Sequence, residues 1–87
     1  MPSLVNRRLF ITGMGSGIGL ATARLAVAEG ARVSGTIQTA EQLANLEAVT
    51  SQDLCFQTDV TDETALNDAV ANAAERLGGL DGIVACA

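Results

Sequence analysis

The sequence predicts an α/β protein in which a parallel β-sheet lies between two layers of helices. Short apolar runs of strand length alternate with longer stretches of helical periodicity, in the order β-α-β-α-β-α-β. The connections are short, which is typical of parallel strands joined by crossover helices. Apolar residues make up 48% of the chain and aromatic residues 2%, and small aliphatic side chains suit close packing of helices on a sheet.

The first strand, the first helix and the second strand follow one another at the start of the chain. The run RLFIT, Arg8–Thr12, is mostly apolar and is ended by glycine, which predicts a buried strand. Apolar residues then recur every three or four positions from Ile18 to Glu29, which predicts a helix that stops at Gly30. The run ARVSGTI, Ala31–Ile37, predicts the second strand. The face of the helix expected to be buried consists of Ile18, Ala21, Leu25 and Ala28.

The second half of the chain repeats this alternation. Residues 39–49, TAEQLANLEAV, predict a short helix, and LCFQ, Leu54–Gln57, predicts the third strand. Helical periodicity from Asp62 to Leu77 predicts a helix of about four turns, which a pair of glycines ends. The run DGIVACA, residues 81–87, predicts a fourth strand.

Composition argues against several classes of function. The net charge is −5, with five arginines and no lysine, which argues against a nucleic-acid surface. The chain has no histidine, and Cys55 and Cys86 lie 31 positions apart, which is neither a disulfide framework nor a metal-ligand spacing. We therefore expect no metal site, and two buried thiols in a reducing cytoplasm. No apolar stretch approaches the ~20 residues that span a membrane, so we expect no membrane partner.

Four glycines lie at alternate positions between the first strand and the first helix, in TGMGSGIG, Thr12–Gly19. The N-terminus of a helix presents unpaired N–H groups and the positive end of the helix dipole, so an anion such as a pyrophosphate can bind there. A merely flexible turn is the alternative interpretation. The dinucleotide pattern G-x-G-x-x-G is not matched in any register, and no Gly-Lys-Ser/Thr follows as in a P-loop. The pattern that does match is Thr-Gly-x-x-x-Gly-x-Gly.

Three of the four glycines have a predicted role. Gly13 allows the tight turn that leaves the strand, Gly17 lets the backbone approach the phosphates, and Gly19 lets the helix pack closely on the sheet. The Ser16 hydroxyl and the Ile18 N–H are further predicted donors to the phosphates. The remaining glycine, at position 15, has no role that the pattern requires.

At these residues the chain resembles the short-chain dehydrogenase/reductase family, whose cofactor-binding motif is TGxxxGIG. The similarity runs through TGMGSGIGLATARLAVAEGARV and DVTDETAL to GGLDGIVACA. In the family an Asp and the apolar residue after it contact adenine, which implies this role for Asp59 and Val60. As an alternative, Asp59 caps the helix that follows. The family's Asn-Asn-Ala-Gly strand corresponds to the end of this chain, where Ala85 and Cys86 replace the asparagines. In the family these asparagines lie beside the nicotinamide ribose, which implies a cofactor contact at Ala85.

The resemblance implies that residues 1–87 are the N-terminal, cofactor-binding portion of a single Rossmann-type dinucleotide-binding domain. The parent enzyme would be a cytoplasmic oxidoreductase that transfers a hydride between NAD or NADP and an alcohol or carbonyl compound. The family reaction uses a Tyr and a Lys four residues apart, and this chain has neither. We therefore expect no catalytic residue in the chain and no activity from it alone. The alternative is a stand-alone α/β module that binds a nucleotide or another anion.

The end of the second strand bears on the choice of cofactor. An acidic residue there bonds the adenine ribose 2′-hydroxyl of NAD, whereas a nearby arginine accommodates the 2′-phosphate of NADP. Ile37 and Gln38 occupy these positions, and Gln38 can bond either cofactor. Because no cation stands nearby to meet the extra phosphate, we favour NAD. We also expect the chain to self-associate through the open edge of the fourth strand, at Ile83–Ala87.

Overall fold

The computed structural model describes residues 3–86, and their elements follow the predicted order. The strands are β1 (Arg8–Thr12), β2 (Arg32–Ile37), β3 (Cys55–Gln57) and β4 (Gly82–Ala85). The α-helices are α1 (Gly17–Ala28) and α2 (Glu63–Leu77). Two 3₁₀ helices, which we call the first (Ala40–Leu46) and the second (Gln52–Leu54), connect β2 to β3.

All four strands are parallel and form one sheet in the order β3-β2-β1-β4. In the centre Phe10 of β1 lies beside Ser34 of β2 on one side and Ile83 of β4 on the other. The chain builds outward from β1 through β2 to β3 and then crosses to the opposite side of β1 for β4. The carboxyl end of β1 is therefore the point at which the strand order reverses, where open α/β sheets bind their ligands.

The two faces of the sheet have separate cores, which confirms the three-layer prediction. Successive strand residues point to opposite faces, so Phe10 and Ile11, both fully buried, belong to different cores. Ile11 packs with Met14 and with Ala23 of α1. Phe10 packs with Ala69 and other small residues of α2 on the other face.

The predicted buried face of α1 is wrong. Ile18 is 78% exposed and Leu25 66% exposed, and Ala21 and Ala28 are exposed as well. The helix packs on the sheet instead through its smallest residues, Gly19, Ala23 and Ala26. Both faces carry apolar residues at helical spacing. The face with the smaller side chains is buried because α1 touches the Gly13 backbone at Gly19, where there is no room for a Cβ atom.

The segment predicted as the second helix forms a 3₁₀ helix rather than an α-helix, and its Leu46 is buried in the α1-side core. A second difference is that β3 begins at Cys55, because the residues before it form the second 3₁₀ helix. The helix α2 is confirmed, with Asp62 as its N-cap accepting a 3.1 Å hydrogen bond from the Ala65 N–H. Ala87, included in the predicted fourth strand, lies outside the described residues.

Candidate functional site

A cleft of about 810 Å³ opens at the carboxyl ends of the strands, beside the N-terminus of α1. It brings together residues that are far apart in the sequence, from the glycine-rich loop after β1, the end of β2 and the segment after β3. Eight of the nine predicted site residues line it: Gly13, Ser16, Gly17, Ile18, Gly19, Gln38, Asp59 and Val60.

The glycine-rich loop has the backbone of an anion-binding turn. Gly13 and Gly17 have φ angles of 67° and 58°, in the left-handed region that favours glycine. A helical hydrogen bond at the start of α1 runs from the Leu20 N–H to the Ser16 carbonyl at 3.2 Å. The N–H groups of residues 17–19 come before Leu20 in the first turn, and N–H groups of a first turn have no partner within the helix. The Ser16 side chain makes no capping hydrogen bond.

Gly19 and Gly17 differ in how much space surrounds them. A Cβ atom added at Gly19 would collide with the Gly13 backbone, its carbonyl carbon lying 2.6 Å away. Close packing of α1 against the loop therefore requires glycine at position 19. A Cβ atom at Gly17 would meet nothing within 4 Å, so a side chain there would project into open space beside the cleft.

Gly15, which had no predicted role, has one in the structure. A Cβ atom at this position would lie 2.7 Å from Cδ and 2.8 Å from Cβ of Gln42, on the first 3₁₀ helix. The absence of a side chain at Gly15 lets that helix pack directly on the loop. No local pattern around Gly15 indicates this contact, because it depends on the 3₁₀ conformation of residues 40–46.

The threonine at the end of β2 anchors the loop. The buried Thr36 hydroxyl accepts a 2.8 Å hydrogen bond from the Gly13 N–H, and its carbonyl accepts one of 2.9 Å from the Met14 N–H. On the other side of β1, the Thr12 hydroxyl accepts a 3.0 Å hydrogen bond from the Cys86 N–H. The turn is therefore held to both neighbouring strands.

The segment after β3 lines the cleft and carries a negative charge. One oxygen of the Asp59 carboxylate accepts hydrogen bonds from the Thr61 hydroxyl at 2.6 Å and the Thr61 N–H at 2.9 Å. These bonds lower the pKa of Asp59, so it is ionised near neutral pH. The cap of α2 is Asp62, so the alternative role of Asp59 as a helix cap is wrong. Among the described residues that line the cleft, Asp59 is the charged one and none is basic.

Ala85 is the predicted site residue that does not line the cleft. It is exposed on β4, while its neighbour Cys86 lines the cleft with its Sγ atom 3.9 Å from the Thr22 hydroxyl. Successive residues of an extended segment point in opposite directions, which explains why one is turned inward and the other is not. Gly15, Gln42, Gln57 and Thr58 are among the lining residues whose roles the sequence analysis missed.

An open parallel sheet with a glycine-rich turn at its switch point and a helix N-terminus behind that turn defines the class of dinucleotide-binding α/β domains. A family model described as short chain dehydrogenase matches residues 7–87. The chain belongs to the short-chain dehydrogenase family.

Similar proteins include hydroxysteroid dehydrogenase-like protein 2 of Danio rerio, 40% identical over 87% of this chain. A 3-dehydrosphinganine reductase of Arabidopsis thaliana is 40% identical over 90% of it. The chain spans 21% and 24% of the lengths of these two relatives.

Solved structures of the family have the same fold. A short-chain dehydrogenase/reductase from Serratia marcescens superposes with a TM-score of 0.87 at 31% identity, over 98% of this chain and 36% of that one. A 3-ketoacyl-(acyl-carrier-protein) reductase from Brucella melitensis, complexed with NADH, superposes with a TM-score of 0.83 at 26% identity. That match covers 93% of this chain and 34% of the reductase.

Among residues 3–86, no helix is both long enough and apolar enough to cross a membrane. Cys55 and Cys86 are free thiols and half-buried rather than fully buried. Burial raises the pKa of the Cys55 thiol above its usual range, which keeps it protonated near neutral pH.

Proposed function

We propose that this chain binds a nicotinamide dinucleotide in the cleft beside α1, as the cofactor-binding portion of an oxidoreductase. The observation that carries the proposal is the glycine-rich turn, whose first-turn N–H groups belong to α1 beside the cleft. The NADH named with the Brucella melitensis relative supports the choice of ligand class. The whole protein would transfer a hydride between the cofactor and an alcohol or carbonyl compound.

The residues of the turn fit a pyrophosphate. The first turn of α1 supplies the N–H groups of Gly17 and Ile18 and the positive end of the helix dipole. The Ser16 hydroxyl is not used as a cap and adds a further donor. At Gly17 the space that a side chain would fill lies open beside the cleft. These features support the binding of a pyrophosphate by the backbone donors of the loop.

The other predicted residues are proposed to hold the adenosine and the nicotinamide ends. Asp59 and Val60 line the wall formed by the segment after β3, and we propose that they contact adenine. Ala85 is the register partner of Thr12, the last residue of β1, and is proposed to lie beside the nicotinamide ribose. We retain this role for Ala85 as a backbone contact, since its side chain is not part of the cleft.

The bound cofactor would supply the hydride, and the residues of this chain would bind and orient it. The sequence contains no Tyr and no Lys, the pair that the family uses for proton transfer. We therefore propose that the chain alone catalyses no reaction, and that the proton-transfer groups belong to the remainder of the protein. The cytoplasm is the proposed location, because two free thiols persist most readily in a reducing compartment.

NAD is the proposed cofactor rather than NADP. A 2′-phosphate carries charge that is normally met by arginine or lysine. No such residue lines the described cleft, and its charged group is the Asp59 carboxylate. Repulsion between Asp59 and an additional phosphate would disfavour NADP further.

We also propose that a second copy of this chain pairs with β4. β4 is hydrogen-bonded to β1 on one side and has no partner strand among the described residues on the other. Its Ile83 side chain is 59% exposed. Open strand edges with apolar side chains pair with other chains.

Replacing Gly17 by valine tests the cofactor proposal. The valine side chain would project beside the α1 N-terminus, where it blocks the close approach of phosphates, so we expect at least a tenfold loss of NADH affinity by calorimetry. Ala21→Val is the control, because it places the same valine side chain at an exposed position of α1 outside the cleft. Equal NADH affinity for Gly17→Val and the unaltered chain would contradict the pyrophosphate assignment.

A further inference from the structure

Two amide side chains of the first 3₁₀ helix hold the glycine-rich loop. Three residues per turn place Gln42 and Asn45 on the same face of that helix, above the loop. The Asn45 Nδ2 donates a 3.0 Å hydrogen bond to the Gly15 carbonyl. The Gln42 Nε2 lies 3.4 Å from the Ser16 hydroxyl oxygen and donates to it. The connection after β2 is thus bonded directly to the loop that would bind the phosphates.

The other end of the Gln42 amide is bonded to the end of β2. Its Oε1 accepts a 2.8 Å hydrogen bond from the Gln38 N–H. Gln38 is in turn held by the Gln57 Nε2, which donates to its carbonyl at 3.3 Å. Gln42 therefore spans the cleft from Ser16 to Gln38, and the two bonds fix which atom of its amide faces each wall.

This orientation presents an acceptor at the end of β2. An amide carbonyl oxygen has two acceptor sites, and the Gln38 N–H uses one of them at Gln42 Oε1. In dinucleotide-binding domains an acidic residue near this point accepts the hydrogen bond of the adenine ribose 2′-hydroxyl. The sequence has no acid at the end of β2, and Gln42 supplies an oxygen there from the next element of the chain.

We propose that Gln42 determines the preference between the two nicotinamide dinucleotides, an inference that rests on the proposed function. Its Oε1 accepts a hydrogen bond from the 2′-hydroxyl of NAD, as the carboxylate of an acidic residue would. A 2′-phosphate at the same point is mostly doubly ionised at neutral pH and therefore meets Oε1 as one acceptor facing another, with Asp59 as the charged group in the cleft. Because the Gln38 N–H already donates to Oε1, it is not available to bind the phosphate either.

The test compares NADH and NADPH binding by calorimetry in Gln42→Met and Gln42→Glu. Methionine keeps the length of the side chain and removes the acceptor, so we expect the Kd for NADH to rise about tenfold, the loss of one hydrogen bond. The Kd for NADPH should not rise, since its 2′-phosphate makes no bond to Oε1 and the Gln38 N–H becomes free to meet it. Glutamate keeps an acceptor and adds a charge, so NADH binding should be retained and NADPH binding weakened about tenfold or more.

The control is Gln52→Met, the same substitution at an exposed glutamine of the second 3₁₀ helix, outside this cleft. It should leave both dissociation constants unchanged. If Gln42→Met and Gln42→Glu both alter NADH and NADPH by the same factor, or alter neither, the role of Gln42 is overturned while the proposed function stands. If the unaltered protein binds neither NADH nor NADPH, the proposed function fails and this inference fails with it.

Discussion

The Thr36 hydroxyl accepts a hydrogen bond from the backbone N–H of Gly13 at 2.8 Å, across 23 residues of sequence. This bond joins the end of β2 to the first residue of the glycine-rich turn. Thr36 is almost fully buried, and its carbonyl accepts a second bond from the next residue of the turn, Met14. The geometry of the turn is therefore held by β2 as well as by its own glycines.

Replacing Thr36 by valine should destabilise the protein and weaken NADH binding. Valine has nearly the same shape but leaves the partly buried Gly13 N–H without its partner, which costs about 1–3 kcal/mol. Urea denaturation measures the loss, and calorimetry measures NADH binding. Thr36→Ser keeps the hydroxyl and should bind NADH as the unaltered chain does. Equal NADH affinity for the valine and serine variants would show that this bond does not position the turn.

Gly19→Ala should destabilise the fold by about 3 kcal/mol, because the added methyl group meets the Gly13 backbone, which has no flexible end to move aside. Gly17→Ala is the comparison. Its methyl group meets no atom within 4 Å, so the cost should be about 1 kcal/mol from the left-handed backbone alone. Urea unfolding of both variants checks the order. A larger loss for Gly17→Ala would contradict the close packing of α1 on the loop.

Stability should decrease at acid pH through the pair formed by Arg8 and Asp81. Hydrogen bonds from the Arg8 side chain and backbone lower the pKa of Asp81 to about 2. A carboxyl group whose pKa is lowered in the folded state stabilises it above the unfolded pKa, and this stabilisation is lost as pH falls from about 4 to about 2. Asp81→Asn should lower the urea midpoint at pH 7, and the difference from the unaltered chain should shrink towards pH 2.

The matched control for this effect is Asp68→Asn, at an exposed position of α2. It removes the same charge from the chain without removing the bonds to Arg8. If the two asparagine variants lose the same stability at pH 7, the effect is one of net charge and the pair is not responsible.

Self-association through β4 should depend on Ile83. We expect sedimentation velocity to show a fraction of dimer that increases with protein concentration. Ile83→Lys should return the chain to a monomer, since charged residues on a strand edge prevent pairing with other strands. Leu25→Lys is the control, because Leu25 is exposed to a similar degree, 66% against 59%, on α1 instead of the sheet edge. A dimer that survives Ile83→Lys and disappears in Leu25→Lys would locate the interface on the helix.

Local patterns were sufficient for most elements of the fold. The bounds of β1 agree with the prediction, because a short apolar run bounded by glycine leaves few alternatives. The helix α2 was also confirmed, since its periodicity and its caps at both ends indicate the same segment. The prediction of which face of α1 is buried was wrong. Alanine, leucine and isoleucine are all apolar, so the pattern alone does not show which face can approach the sheet.

The candidate site was predictable in its loop and much less so in its walls. The glycine spacing identified the turn and the start of α1, since the left-handed φ angles of Gly13 and Gly17 are local requirements. The role of Gly15 was missed because it depends on Gln42, a residue of another element. Nothing in the residues around Gly15 specifies that contact.

By itself the sequence determined the order of elements, the turn that follows β1 and the helix N-terminus behind it. These features depend on backbone conformation and on periodicity within a few residues, which the local residue types control. The tertiary structure decided that Thr36 anchors the turn, that Gln42 and Asn45 pack on Gly15, and that small residues of α1 face the sheet. These contacts join residues far apart in sequence, so they depend on strand register and on how closely each helix approaches the sheet.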